Sequence, residues 1–249
     1  MPLGVGAKRE RGWLAGLLLL WWSLLFGGFL FGATDSSQTQ CIPTWARMAS
    51  SFTLTVAAWS WLLGAPGERR LVSALIATGM TFGLVGDLVL ADVLSASNPV
   101  PAGMAAFSLG HITYISAIVL LGRSAGLTAP FRRWGSLAGC MAVGLAAWFL
   151  IVFPAQAPIE LRGAALGYTI LLAATAGAAL GLALQAPGFT PLAVGGCLFL
   201  ASDLILAGQL FGRFQFYLLN AAVWLTYGPA QMLIVYGGNW AARQSAHSQ

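Results

Sequence analysis

Apolar runs of about twenty residues recur along nearly the whole chain, and few features of a sequence constrain its fold so tightly. Inside a bilayer every backbone N–H and C=O must find its partner within the protein, so each run has to close its own hydrogen bonds as an α-helix. The alternative, a barrel of strands about ten residues long with alternating polarity, has no counterpart in these uninterrupted runs. Eight spans can be drawn, roughly 13–32, 45–63, 71–91, 104–122, 134–153, 163–184, 190–210 and 216–238. Loop chemistry separates them: Asp35-Ser36-Ser37, Gly64 to Arg70, Asn98-Pro99-Val100-Pro101, Pro130 to Arg133, Pro154 to Pro158 and Pro187-Gly188. The expectation is an all-α, multi-pass membrane protein of eight transmembrane helices, with residues 1–249 forming a single integral membrane domain.

Charge supports this and removes another class. Only 8% of the residues are charged, against about 25% in soluble domains. A net charge of +5 invites a nucleic-acid reading, but the cations sit in short loops between spans, where they set topology. With the N-terminus inside, that side holds Lys8, Arg9, Arg11, Arg69, Arg70, Arg123, Arg132, Arg133 and Arg243, and the other side only Arg47, Arg162 and Arg213. Both termini are therefore expected in the cytosol, with no nucleic-acid partner. The first run, behind Lys8, Arg9 and Arg11, is too long for a signal peptide and lacks a small-x-small cleavage site. Cys41, Cys140 and Cys197 show neither metal spacing nor a disulfide framework, and the two within spans read as small buried hydrophobes.

Two of the spans carry a carboxylate. Gly83-Leu84-Val85-Gly86-Asp87-Leu88-Val89-Leu90-Ala91 and Leu200-Ala201-Ser202-Asp203-Leu204-Ile205-Leu206-Ala207 share the pattern small residue, Asp, Leu, Val or Ile, Leu, Ala. An acid in hydrocarbon costs a few kcal/mol or more, so it faces the protein interior and marks a functional site by default. Both aspartates fall in the outer halves of outward-running spans, at one depth. Asp203 lies 116 residues after Asp87, and Thr113-Tyr114 returns as Thr226-Tyr227 113 residues later, offsets that suggest two parallel repeats of four helices. Two neighbouring carboxyl groups resist carrying charge together, which yields an acid and a base in one site. The structural alternative is a pair of neutral acids bonding adjacent helices.

Other polar residues gather at similar depth. His111 follows Gly110 in span four and is expected to orient or balance an aspartate. A metal would need both acids as co-ligands, and none is expected; His247 is the only other histidine. Tyr114 shares a helix face with His111. In span eight, Gly228-Pro229 predicts a kink that presents Tyr227 and Gln231 to the interior. Tyr168 and Ser202 are weaker supporting candidates. Arg47, at the outer end of span two, fits either a phosphate ligand or a snorkelling cation.

Together these stretches resemble the YhhN family of lysoplasmalogenase-like membrane proteins: Gly86-Asp87, Phe107 to Ile115 with Gly110-His111, Ser202-Asp203, and Thr226-Tyr227 with Gln231, in that order. Where family members often carry Lys-Pro early in span two, Arg47-Met48 stands here. The resemblance implies eight helices and, without a cofactor, hydrolysis of the vinyl ether of lysoplasmalogens to a fatty aldehyde and glycerophosphocholine or glycerophosphoethanolamine. Asp87 and Asp203 would carry the acid and base roles on a single-chain ether phospholipid drawn from the bilayer. A proton-coupled transporter using the same paired acids is the rival reading. The sequence leaves the oligomeric state open.

Overall fold

A computed structural model describes residues 5–34, 40–67 and 69–245; the Asp35-Ser36-Ser37 break and His247 lie outside the described residues. Eight α-helices run through it: α1 (Val5–Leu30), α2 (Thr44–Leu63), α3 (Arg69–Leu90), α4 (Pro99–Ser124), α5 (Pro130–Ile151), α6 (Ile159–Ala183), α7 (Thr190–Leu210) and α8 (Leu219–Ser245). Each matches one expected span. A two-residue antiparallel pair, β1 (Ala33–Thr34) with β2 (Gln40–Cys41), joins α1 to α2, and a short 3₁₀ turn, Pro187–Phe189, leads into α7.

Six of the eight helices are long and apolar enough to cross a membrane: α1, α3, α4, α5, α6 and α7 with its leading turn. These six candidate spans are what a multi-pass membrane protein requires, and they are fewer than the eight expected. α2 and α8 have the length and fall short in hydropathy. The reason lies in their side chains: Arg47, Ser50, Ser51, Thr53 and Thr55 in α2, and Tyr227, Gln231 and Asn239 in α8. Most of these are buried among other helices, where protein rather than lipid surrounds them.

The loop residues set the ends. Pro99 and Pro130 begin α4 and α5, where the missing N–H would have no intrahelical partner. At the far end of α4, Gly126 takes φ +66° and Leu127 N donates to Gly122 O at 2.9 Å, a Schellman cap. α7 ends the same way, with Gly212 at φ +65° and Arg213 N on Gly208 O at 2.8 Å. At the end of α3 the residue in this left-handed conformation is Asp92, φ +57°, a type that tolerates it. α3 therefore stops within two turns of Asp87.

Around the interior the helices follow the order α2, α3, α4, α6, α7, α8, each packed on the next, with α8 returning to α2 and also touching α3 across the middle. α1 lies outside against α2, and α5 outside against α6. Their outer faces are apolar, with Trp22, Phe31, Phe131 and Phe149 exposed as lipid-facing residues would be. Glycines let α3 come close to its neighbours. A Cβ on Gly79 would meet the Tyr114 ring at 2.4 Å, and one on Gly86 would meet the Phe107 ring at 2.7 Å. Small residues at such spacing allow helices to approach closely in a membrane.

Candidate active site

The C-terminal part of α3 carries Asp87 into the ring, where it is 5% exposed. Its Oδ2 accepts a hydrogen bond from Ser51 Oγ of α2 at 2.6 Å and another from Tyr227 OH of α8 at 3.0 Å. Tyr227 OH in turn accepts from Gln231 Nε2 at 3.0 Å, one turn along α8. Gln231 Oε1 accepts from Tyr114 OH of α4 at 2.8 Å. The donors thus run one way, Tyr114 to Gln231 to Tyr227 to Asp87, and every link is buried. Each tyrosine has one hydroxyl hydrogen and spends it in this chain. Such a network fixes the rotamers of its members and holds the carboxyl group in one orientation.

Asp203, on α7, has different company. It is half-buried, and its Oδ2 accepts from Tyr168 OH of α6. Phe107 packs between the two sites, its ring 6.4 Å from that of Tyr168 and 6.1 Å from that of Tyr227.

The two carboxyl groups open onto one cavity of about 520 Å³, lined also by Arg47, Phe107, Trp224 and Tyr227. Gln209, Gln215 and Asn220 add further polar groups to its wall. A second, much narrower cleft is walled almost wholly by apolar side chains of α4, α5, α6 and α7, among them Met104, Trp148, Leu172 and Leu206. The two share Leu90, Val100, Phe107, Asp203, Leu206 and Leu210. Asp203 therefore stands where a polar chamber meets an apolar groove, and Asp87 on the polar side alone.

Several supporting residues are placed differently from the sequence-based expectation. His111 makes no hydrogen bond to either acid. Its Nδ1 lies 3.0 Å from Thr175 Oγ1 of α6, and that hydroxyl donates onward to Leu171 O at 2.9 Å, so the ring nitrogen is the donor. Phe199 stands edge-on to the imidazole at 4.5 Å and to Tyr227 at 5.2 Å, a wedge between His111 and the Asp87 network. Nε2 of His111 is buried with no partner among the described residues. Ser202, next to Asp203 in the chain, bonds Val223 O of α8 at 3.0 Å and ties α7 to α8. Tyr114 acts at one remove through Gln231 rather than on an acid. The tyrosine on Asp203 is Tyr168, which belongs to neither of the repeated Thr-Tyr pairs, and Tyr227 of the second repeat bonds Asp87 of the first. Pro229 sits inside a helix that continues past it, with Tyr227 and Gln231 both turned inward. Neither cysteine expected to be buried is so: Cys140 is half-buried and Cys197 is exposed.

Ser51, Thr175 and Trp224 were missed from the sequence. A signal for Ser51 existed: the hydroxyl-rich run from Ser50 to Thr55 is too polar for a face turned to lipid. Arg47 stacks over the Trp224 ring at 5.3 Å and donates through Nη2 to Thr44 Oγ1 at 2.8 Å, so it belongs to the cavity wall. Among the described residues no three His, Cys, Asp or Glu side chains cluster as metal ligands would.

Chemically, the arrangement offers two carboxyl groups on one chamber, each held by hydroxyl donors, with an apolar groove leading away from one of them. The model of the YhhN family matches residues 43–238, from the start of α2 into the last turns of α8. No curated protein and no solved structure matches the chain.

Proposed function

The chain belongs to the YhhN family, and from that premise we propose that it is a lysoplasmalogenase, hydrolysing the vinyl ether bond of single-chain ether phospholipids. The observation that carries this reading is the position of Asp203, shared by the polar chamber and the apolar groove. In such a lipid the vinyl ether is the joint between the glycerophosphate head and the hydrocarbon chain. A molecule with its chain in the groove and its head in the chamber brings that joint to Asp203.

The reaction needs a proton delivered to carbon. In its protonated form the Asp203 carboxyl group gives its proton to the double-bond carbon farther from oxygen, and the carbon beside oxygen becomes an oxocarbenium ion. Asp87, as a carboxylate holding hydrogen bonds from Ser51 and Tyr227, stabilises that cation and takes a proton from the water that attacks it. The resulting hemiacetal collapses when Asp87 returns the proton to the departing glycerol oxygen and Asp203 accepts the hemiacetal hydroxyl proton. A fatty aldehyde and a glycerophosphodiester leave, and both acids regain their starting forms. General acid and base groups of this kind each contribute about 10²–10⁴-fold.

The test is aldehyde release by purified protein from a lysoplasmalogen, with an ester lysophospholipid beside it. Aldehyde from the vinyl ether alone, lost in Asp87→Asn and in Asp203→Asn, is the expected result. Intact substrate with folded wild-type protein would refute the assignment and favour proton-coupled transport by the same acids.

A further inference from the structure

Building on the hydrolase reading, we propose that the wall of the polar chamber is a glycerophosphate subsite, in which Arg47 holds the phosphate and Asn220 reads the free hydroxyl on the middle glycerol carbon. The vinyl ether at Asp203 divides the substrate in two. The chain takes the apolar groove, so the phosphate has to lie in the polar chamber. Among the described residues lining that chamber, Arg47 is the one cation.

Its setting suits an anion. The guanidinium stacks over Trp224 at 5.3 Å and is anchored by Thr44 Oγ1 at 2.8 Å, which fix the plane of the group before a ligand arrives. A planar guanidinium offers paired N–H donors matched to two phosphate oxygens. Gln209 and Gln215 line the same chamber and add neutral donors.

Asn220 supplies the second contact. It lines the chamber from the first turn of α8, and its buried Oδ1 has no hydrogen-bond partner among the described residues. An unpaired buried amide oxygen carries a desolvation cost that a ligand hydroxyl removes. A single-chain glycerophospholipid has such a hydroxyl beside the vinyl ether carbon, and a two-chain lipid has an ester there instead. Asn220 would thereby select single-chain substrates, adding a polar criterion to the limited space of the groove.

Binding of non-cleavable ligands tests this independently of the chemistry. Melting-temperature titrations of the full chain in maltoside micelles would use three ligands: a 1-O-alkyl glycerophosphocholine, its 2-O-methyl analogue, and the 1-O-alkylglycerol that lacks phosphate. Wild-type protein should bind the first about 10–100-fold more tightly than the third, the range for a charged hydrogen-bonded contact. Arg47→Gln should collapse that preference and Arg47→Lys should keep part of it. Asn220→Ala should erase the preference for the free hydroxyl over its methyl ether. A wild-type protein indifferent to phosphate, or a phosphate preference that survives Arg47→Gln, overturns the phosphate site; a hydroxyl preference unchanged in Asn220→Ala overturns the role of that residue. An absence of aldehyde release with these preferences intact would refute the hydrolase reading alone.

Discussion

Asp87 and Asp203 stand in nearly the same local sequence, and the structure gives them unlike surroundings. Asp87 is buried at the chamber wall and accepts two hydroxyl donors at one oxygen, with a relay behind it that reaches α4. Among the described residues Asp203 accepts from Tyr168 alone, and it faces both the polar chamber and the apolar groove. Matched motifs therefore need not be matched groups. The held, deeply placed carboxylate is suited to receive a proton and steady a cation, and the carboxyl group at the boundary is suited to meet a carbon of the lipid chain.

The largest effects should come from the acids themselves. Asp87→Asn and Asp203→Asn should each cut aldehyde release by about 10²–10⁴-fold with the protein still folded. If one of them retained wild-type turnover, the two-acid division of labour would be wrong. Next come the hydroxyls. Tyr168→Phe removes the side-chain donor seen on Asp203 and should cost about 10–100-fold in kcat, the range for a hydrogen bond to a charged group. Ser51→Ala should cost less, because Tyr227 continues to hold Asp87. Equal losses in the two variants would break the contrast between the acids.

Gln231→Leu probes the relay. Gln231 is 1% exposed and bonded on both sides, so its loss takes the oxygen acceptor from Tyr114 OH and one of the two hydrogen bonds from Tyr227 OH, which keeps Asp87. A buried hydroxyl left short of its acceptor costs about 1–3 kcal/mol, and the variant should melt several degrees lower in detergent. An unchanged melting temperature would mean that the relay adds little to the ring. The smallest effect should belong to Ser202→Ala. Despite its place beside Asp203, Ser202 bonds only the Val223 carbonyl, so the change should cost about 0.5–1.5 kcal/mol of stability and leave kcat within about twofold. Ser202 also lines the chamber, and a large kcat loss there would give it a part in the chemistry.

Much of this protein could be read from its residues alone. Most of the helices follow from an apolar run with a proline or glycine at its end, and Asp87 and Asp203 announce themselves because a carboxylate in a span is too costly to be incidental. Arg47, Tyr227 and Gln231 were also legible as polar groups at the right depth. What only the tertiary structure decided is which polar group meets which. In a soluble helix the apolar stripe reveals the inward face, but here lipid and protein interior are both apolar, so α6 and α7 carry no stripe to show how they are turned. The rotation of each helix comes from packing: glycines on α3 admit the Tyr114 and Phe107 rings, and Phe199 sits between His111 and Tyr227. That packing sends His111 to Thr175, gives Asp203 to Tyr168, and brings Ser51 from a helix that hydropathy alone would not place in the membrane.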